Sequence, residues 1–211
     1  SGAFSFHFDG RERNNLGYHD YNSSISKERI DVVNFEYNSP SLFLSAGRVW
    51  TNEVFVERVD GLNMVIKNDS SGIGFFGGLR PDPYSEEFNS DFTAGGVYIY
   101  YNNKETIDVS MALAHNGFNG DTDRQYLSSQ MTYTPFNTIR LYTTVTVDRN
   151  QLTHDLNLTT GMAEFSYTPD FTKNITIGYN QFSAVQYFKS MPSYAYGTHT
   201  PNPHYNLKRN N

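Results

Sequence analysis

Apolar and polar residues alternate with a period of two along most of this chain, and the 3.6-residue period of an amphipathic helix is nearly absent. In TIRLYTTVTVD, Ile139, Leu141, Thr143, Val145 and Val147 fall on one face of an extended segment, and Arg140, Tyr142, Thr144, Thr146 and Asp148 on the other. TIDVSMALA divides the same way, with Ile107, Val109, Met111 and Leu113 opposing Asp108, Ser110, Ala112 and Ala114. Phe4, Phe6 and Phe8 oppose Ser5, His7 and Asp9, while Ile175, Ile177 and Tyr179 oppose Thr176, Gly178 and Asn180. The pattern predicts about eleven strands, at 3–12, 29–38, 41–50, 61–68, 72–80, 91–101, 106–115, 124–134, 138–149, 155–168 and 173–182. Strands of soluble proteins average about 5–6 residues. Many of these are longer, in the range of about 9–11 that a tilted strand needs to cross a bilayer.

The connections carry a second pattern. Short turns are expected at NSPS (38–41), NDSS (68–71), NNKE (102–105), TPFN (134–137) and TPDFT (168–172), each built of turn-forming residues. Between them lie polar stretches expected to be long loops, at 13–28, 51–60, 81–90, 116–123 and 150–154. Strict alternation of short and long predicts an up-and-down meander with turns at one end and loops at the other. YTPFNTIRLY and YTPDFTKNITIGY show the hairpin-scale repeat in their wording. Residues 1–182 read as a single domain of strands and loops, and 183–211 as a loop or tail, with the possibility of further strands beyond it. Tyr37, Tyr100, Tyr101, Tyr133, Phe136, Tyr167 and Phe171 cluster at the short-turn end and are expected to form a girdle at a membrane–water boundary.

GIGFFGGL (72–79) contains G-x-G-x-x-G, but the segment follows a turn and precedes a loop with two prolines. A phosphate-cradling loop needs a strand before it and a helix after it. The glycines are therefore expected on the inner face of a strand, where they admit the close approach of another backbone or side chain.

Composition narrows the classes. The chain has 211 residues, 16 Tyr, 16 Phe, one Trp and no Cys, with a net charge of −6. It has no disulfide framework, thiolate metal site or Cys nucleophile, and an acidic chain without a Lys/Arg cluster suits no nucleic acid. No apolar run approaches the roughly 18 residues of a membrane helix, and no signal peptide is visible. The mean hydropathy of −0.58 reads as soluble, but polar inward positions dilute the hydropathy of a β-barrel in the same way.

Long strands, alternating loop lengths and charges such as Glu36, Asp108, Arg140 and Glu164 on the polar faces together point to an all-β fold, an antiparallel up-and-down transmembrane β-barrel of about 11–12 visible strands. LFLSAGRVW…VDGLNMVI…GFFGGLRPDP at 42–83 resembles the porin-type β-barrels of Gram-negative outer membranes, in which a strand ends in Gly-Arg and Asp-Gly-Leu opens the next. The resemblance implies that Arg48 points into the lumen and that Asp60 sits at the loop base. It also implies a location in the bacterial outer membrane, with membrane lipid and lipopolysaccharide as neighbours. Asp82, Glu86, Glu87 and Asp91 would hold divalent ions between lipopolysaccharide phosphates. An odd number of strands does not close the usual even-numbered barrel, and SMPSYAYGTHTPNPHYNLKRNN does not read as a closing strand. A chain that forms part of a longer barrel is favoured over a complete 12-stranded one.

The inner face is the expected functional surface. Asp9, Glu36, Arg48, Lys67, Asp108, Gln130, Arg140, Asp148 and Glu164 are expected to line a lumen of mixed charge. NGFNGDTD offers Asn119, Asp121 and Asp123 as a weak candidate calcium loop, without the distal Glu of an EF-hand. No G-x-S-x-G or H-E-x-x-H occurs, and no Ser, His and Asp spacing singles out a triad. The expectation is a non-enzymatic, cofactor-free channel for passive diffusion of ions or small polar solutes. The alternatives are a non-conducting barrel that acts as scaffold or sheath for a partner protein, and a soluble β-sandwich binding module.

Overall fold

The computed structural model describes residues 2–12, 28–51, 57–82, 88–170, 172–183, 185, 187–190 and 209–210. These form one antiparallel sheet in which every strand pairs with its sequence neighbours. The strands are β1 (Ala3–Glu12), β2 (Glu28–Asn38), β3 (Leu42–Thr51), β4 (Glu57–Lys67), β5 (Ser71–Leu79), β6 (Phe92–Asn102), β7 (Ile107–Phe118), β8 (Asp121–Phe136), β9 (Ile139–Arg149), β10 (Leu156–Asp170) and β11 (Lys173–Phe182). A two-residue segment, β12 (Arg209–Asn210), pairs with the end of β11. The eleven strands expected from the alternation are all present, and no helix occurs among the described residues. The order is that of an up-and-down meander compatible with a β-barrel. Among the described residues no ladder joins β1 to β11 or β12.

The register sorts the side chains onto two faces. On one, Met64 lies opposite Phe75, Phe75 opposite Val97, Val97 opposite Leu113, and Leu113 opposite Leu127. This face has no second layer over it among the described residues: Phe4 is 85% exposed, Phe35 68%, Leu113 58% and Ile177 67%. On the other face Ser45, Thr144 and Thr146 are buried although they are small. Tyr98 on the same face is only 2% exposed, and a flat single layer would leave so large a ring open, so the sheet curls with this second face inside. The two edge strands are less enclosed, and most of β11 is exposed on both faces.

An apolar cluster occupies part of the enclosed face: Val49, Val59, Val65, Phe76, Ala94, Tyr98, Ala112, Ala114 and Tyr126, from β3 to β8. The glycines of β5 belong to this packing. The Tyr98 ring lies over Gly74, where a Cβ would come within 2.1 Å of the ring. Tyr98 thereby reaches from β6 past β5 and donates its hydroxyl hydrogen to Asn63 Oδ1 on β4 at 2.9 Å. The expectation of close approach over inward glycines is met by an aromatic side chain.

The expected rule of alternating connections breaks at the β7–β8 hairpin. Residues 116–123, read as a long loop, close in two residues, Asn119 and Gly120, both at positive φ (52° and 83°). Asn-Gly suits a tight hairpin turn that needs φ > 0 at both central positions, and the polar flanks that suggested a loop are strand residues.

Candidate functional site

Eight of the nine residues expected on the inner face share it: Asp9, Glu36, Lys67, Asp108, Gln130, Arg140, Asp148 and Glu164. Arg48 does not. It is directly opposite Asp60 and in line with Leu44 and Ala46, which pair with Met64 and Leu62 on the exposed face. Strand alternation puts Arg48 there whatever its charge. The charge is matched in place: Nε and Nη2 donate to the two Asp60 oxygens, each at 2.6 Å, and Nη1 donates to the Ile30 carbonyl at 2.7 Å. Beside this pair Arg58 lies over the Trp50 ring at 5.3 Å and 3.6 Å from Asp31. On β2–β4 the loop end of the exposed face therefore carries a neutralised charged border.

At the opposite border Tyr37, Tyr101, Tyr133 and Tyr167 stand on the exposed face, and Phe136 is 67% exposed in the β8–β9 hairpin. Tyr100 is the exception among the expected girdle residues. It is the strand neighbour of Tyr101, so it points the other way, to the enclosed face, where its ring lies over Gly72. Phe171, Glu86 and Glu87 lie outside the described residues.

Part of the charge of the enclosed face is neutralised there, since Arg124 on the same face pairs with Asp148. None of the eight bonds to another of the eight: Lys67 donates to Asn38, Asp108 accepts from Asn102, Glu36 lies 3.2 Å from His7, and Asp148 is held by Arg124. The polar positions also have a definite sector. Ser5, His7, Asp9, Asn34 and Glu36 line β1 and β2, and Thr144, Thr146, Asp148, Glu164, Ser166 and Thr176 line β9 to β11. The apolar cluster lies between these two sectors.

Sequence reasoning missed the densest polar network, at the loop end of the enclosed face. Two register shifts build it. One leaves Asp123 as the extra residue of β8, and the other leaves Thr159 as the extra residue of β10; such bulges re-aim a side chain. Arg124 donates to Asp148 from Nε at 2.5 Å and from Nη2 at 3.1 Å, and the Thr159 hydroxyl also donates to Asp148. Asp123 is fully buried and binds the segment that follows β11. Its Oδ1 accepts the Lys189 and Ser190 amides at 2.7 and 3.0 Å, its Oδ2 accepts the Ser190 hydroxyl at 2.5 Å, and its carbonyl accepts the Phe188 amide. Lys189 Nζ lies 3.2 Å from Asp121. Two residues earlier, the Tyr187 ring is flanked by Arg80, at 4.9 Å beyond the end of β5, and by Arg124, at 5.7 Å on β8. The residues read as a tail thus include a strap, Tyr187–Ser190, laid across the enclosed face.

The strap accounts for the aspartates of NGFNGDTD. Asn119 forms the turn, Asp121 pairs with Lys189 and Asp123 holds the strap, so the three do not face one point. Among the described residues no group of three or more His, Asp or Glu is placed to hold a metal ion. No protein-family model matches the chain, and no curated protein is significantly similar to it.

Proposed function

We propose that the chain forms the wall of an outer-membrane β-barrel through which ions or small polar solutes diffuse. One observation carries the reading: large apolar side chains stand exposed along one whole face of a curled sheet whose other face is enclosed. Hydrocarbon is the solvent that suits such an outer surface. The borders agree, since tyrosines stand at one rim, and Trp50 and paired charges stand at the other. The polar sector on β1–β2 and β9–β11 supports a wet path on the inside, because hydroxyl, amide and carboxylate side chains line it, among them Ser5, Asn34, Glu36, Thr144, Glu164 and Thr176. Closing the sheet brings its two polar ends together and makes that sector continuous. Reconstituted into a planar bilayer, the full chain should give ohmic single-channel steps. Inserted, folded protein that passes no current would remove the channel.

The strap favours a second reading, a barrel occluded at its loop end that serves as scaffold or sheath for a partner protein. Asp123→Ala removes the acceptor for two amides and a hydroxyl. If the strap narrows an open path, this variant conducts more than the parent. If parent and variant are both silent, the scaffold reading stands.

A further inference from the structure

We infer that the exposed face carries a binding groove for a single anionic lipid, seated between β6 and β10 at the loop end; the inference rests on the membrane reading above. The groove measures about 540 Å3, within the range of about 300–1,000 Å3 typical of ligand sites. Its walls are Val97, Leu113, Leu127, Val147 and Leu156. Its floor is bare backbone at Gly95, which pairs with Gly77. A Cβ at Gly95 would meet its nearest neighbour, the Phe76 carbonyl, at 3.4 Å, and one at Gly77 would meet nothing closer than 3.9 Å. These two glycines, unlike Gly74, leave room on the outer surface that no side chain of the protein fills.

The two ends of the groove differ. Toward the short turns the face continues as Met111 and Ile99, both exposed. Toward the loops it ends in a hydrogen-bonded polar rim. Arg149 Nη1 donates to Gln125 Oε1 at 3.2 Å, Arg149 Nη2 lies 3.3 Å from His154 Nδ1, and Gln125 Nε2 lies 3.4 Å from His115 Nδ1. Among the described residues no carboxylate pairs with Arg149, whereas Arg48, Arg58 and Arg124 each have one. A guanidinium with no carboxylate partner, set at the mouth of an apolar trough, matches a phosphate-bearing head group with its acyl chain running along the strands.

The test is native mass spectrometry of the full chain released from micelles that contain equal amounts of dimyristoyl phosphatidylglycerol and dimyristoyl phosphatidylcholine. The acyl chains are identical and only the head charge differs. The parent should retain one phosphatidylglycerol, in preference to phosphatidylcholine by about fivefold, the effect of one cationic side chain near a membrane surface. Arg149→Gln should level the preference while leaving acyl binding. Gly95→Phe should fill the trough and lose both lipids, with Gly95→Leu as the milder version should the ring impair folding. Equal retention of the two lipids by the parent, or undiminished retention by the folded Gly95 variants, overturns the inference. A chain that enters vesicles but shows no head-group preference overturns this inference alone. A chain that is monodisperse without detergent overturns the membrane reading beneath it.

Discussion

At the residue scale the deciding features are contacts between unlike neighbours. Tyr98 needs Gly74 to be a glycine, because its ring occupies the volume of a Cβ there. Gly74→Ala should therefore displace the ring and its bond to Asn63, costing about 1–3 kcal/mol. The urea midpoint of the folded protein in lipid measures this. In Tyr98→Ala the same glycine substitution should be nearly free, so the double mutant should be far less destabilised than the sum of the singles; additive losses would contradict the packing. Arg48 and Asp60 make a two-pronged pair on the exposed face, with side chains only 11% and 16% exposed. Asp60→Asn leaves the guanidinium at an apolar border with a weaker acceptor. Stability should fall by about 1.5–3 kcal/mol, the usual range for a hydrogen bond to a charged group, read from the same midpoint.

At the element scale the strands were legible in the sequence and several connections were not. Period-two alternation specifies a strand locally, so all eleven appear where the pattern put them. Face assignment failed where something other than parity decided it: the porin likeness put Arg48 in the lumen although it lies with Leu44 and Ala46, and nearness to a turn put Tyr100 in the girdle although it turns inward beside the outward Tyr101. The Asn119–Gly120 turn was hidden in polar strand ends. The strap was not legible, because its placement depends on a buried aspartate at a bulge 66 residues away from Lys189. Nothing periodic marks such a contact, and the same aspartate resembled a calcium ligand. The strap's attachment can be tested without any assumption about conduction. Asp123→Ala should speed tryptic cleavage after Lys189 by an order of magnitude or more, because cleavage follows the population of the opened segment. An unchanged cleavage rate would mean that Asp123 does not hold the strap.

At the scale of the whole molecule the decisive feature is the difference between the two faces of one curled layer. The described residues place isoleucine, leucine and phenylalanine outside and serine, threonine and carboxylates inside, with one apolar cluster on the inner wall. A soluble sandwich would cover the outer set with a second sheet; no such layer exists among the described residues. The chain contains no cysteine, so single cysteines report their own surroundings. The most direct measurement is a cysteine scan along β7 from Asp108 to Ala114 in lipid vesicles, with a spin label at each site and accessibility to oxygen and to a water-soluble paramagnet recorded. Labels at 109, 111 and 113 should favour oxygen, as sites in hydrocarbon do, and labels at 108, 110, 112 and 114 should lose that preference. Loss of the two-residue period, or protection of 109, 111 and 113 from both relaxants by a protein surface, would contradict the account.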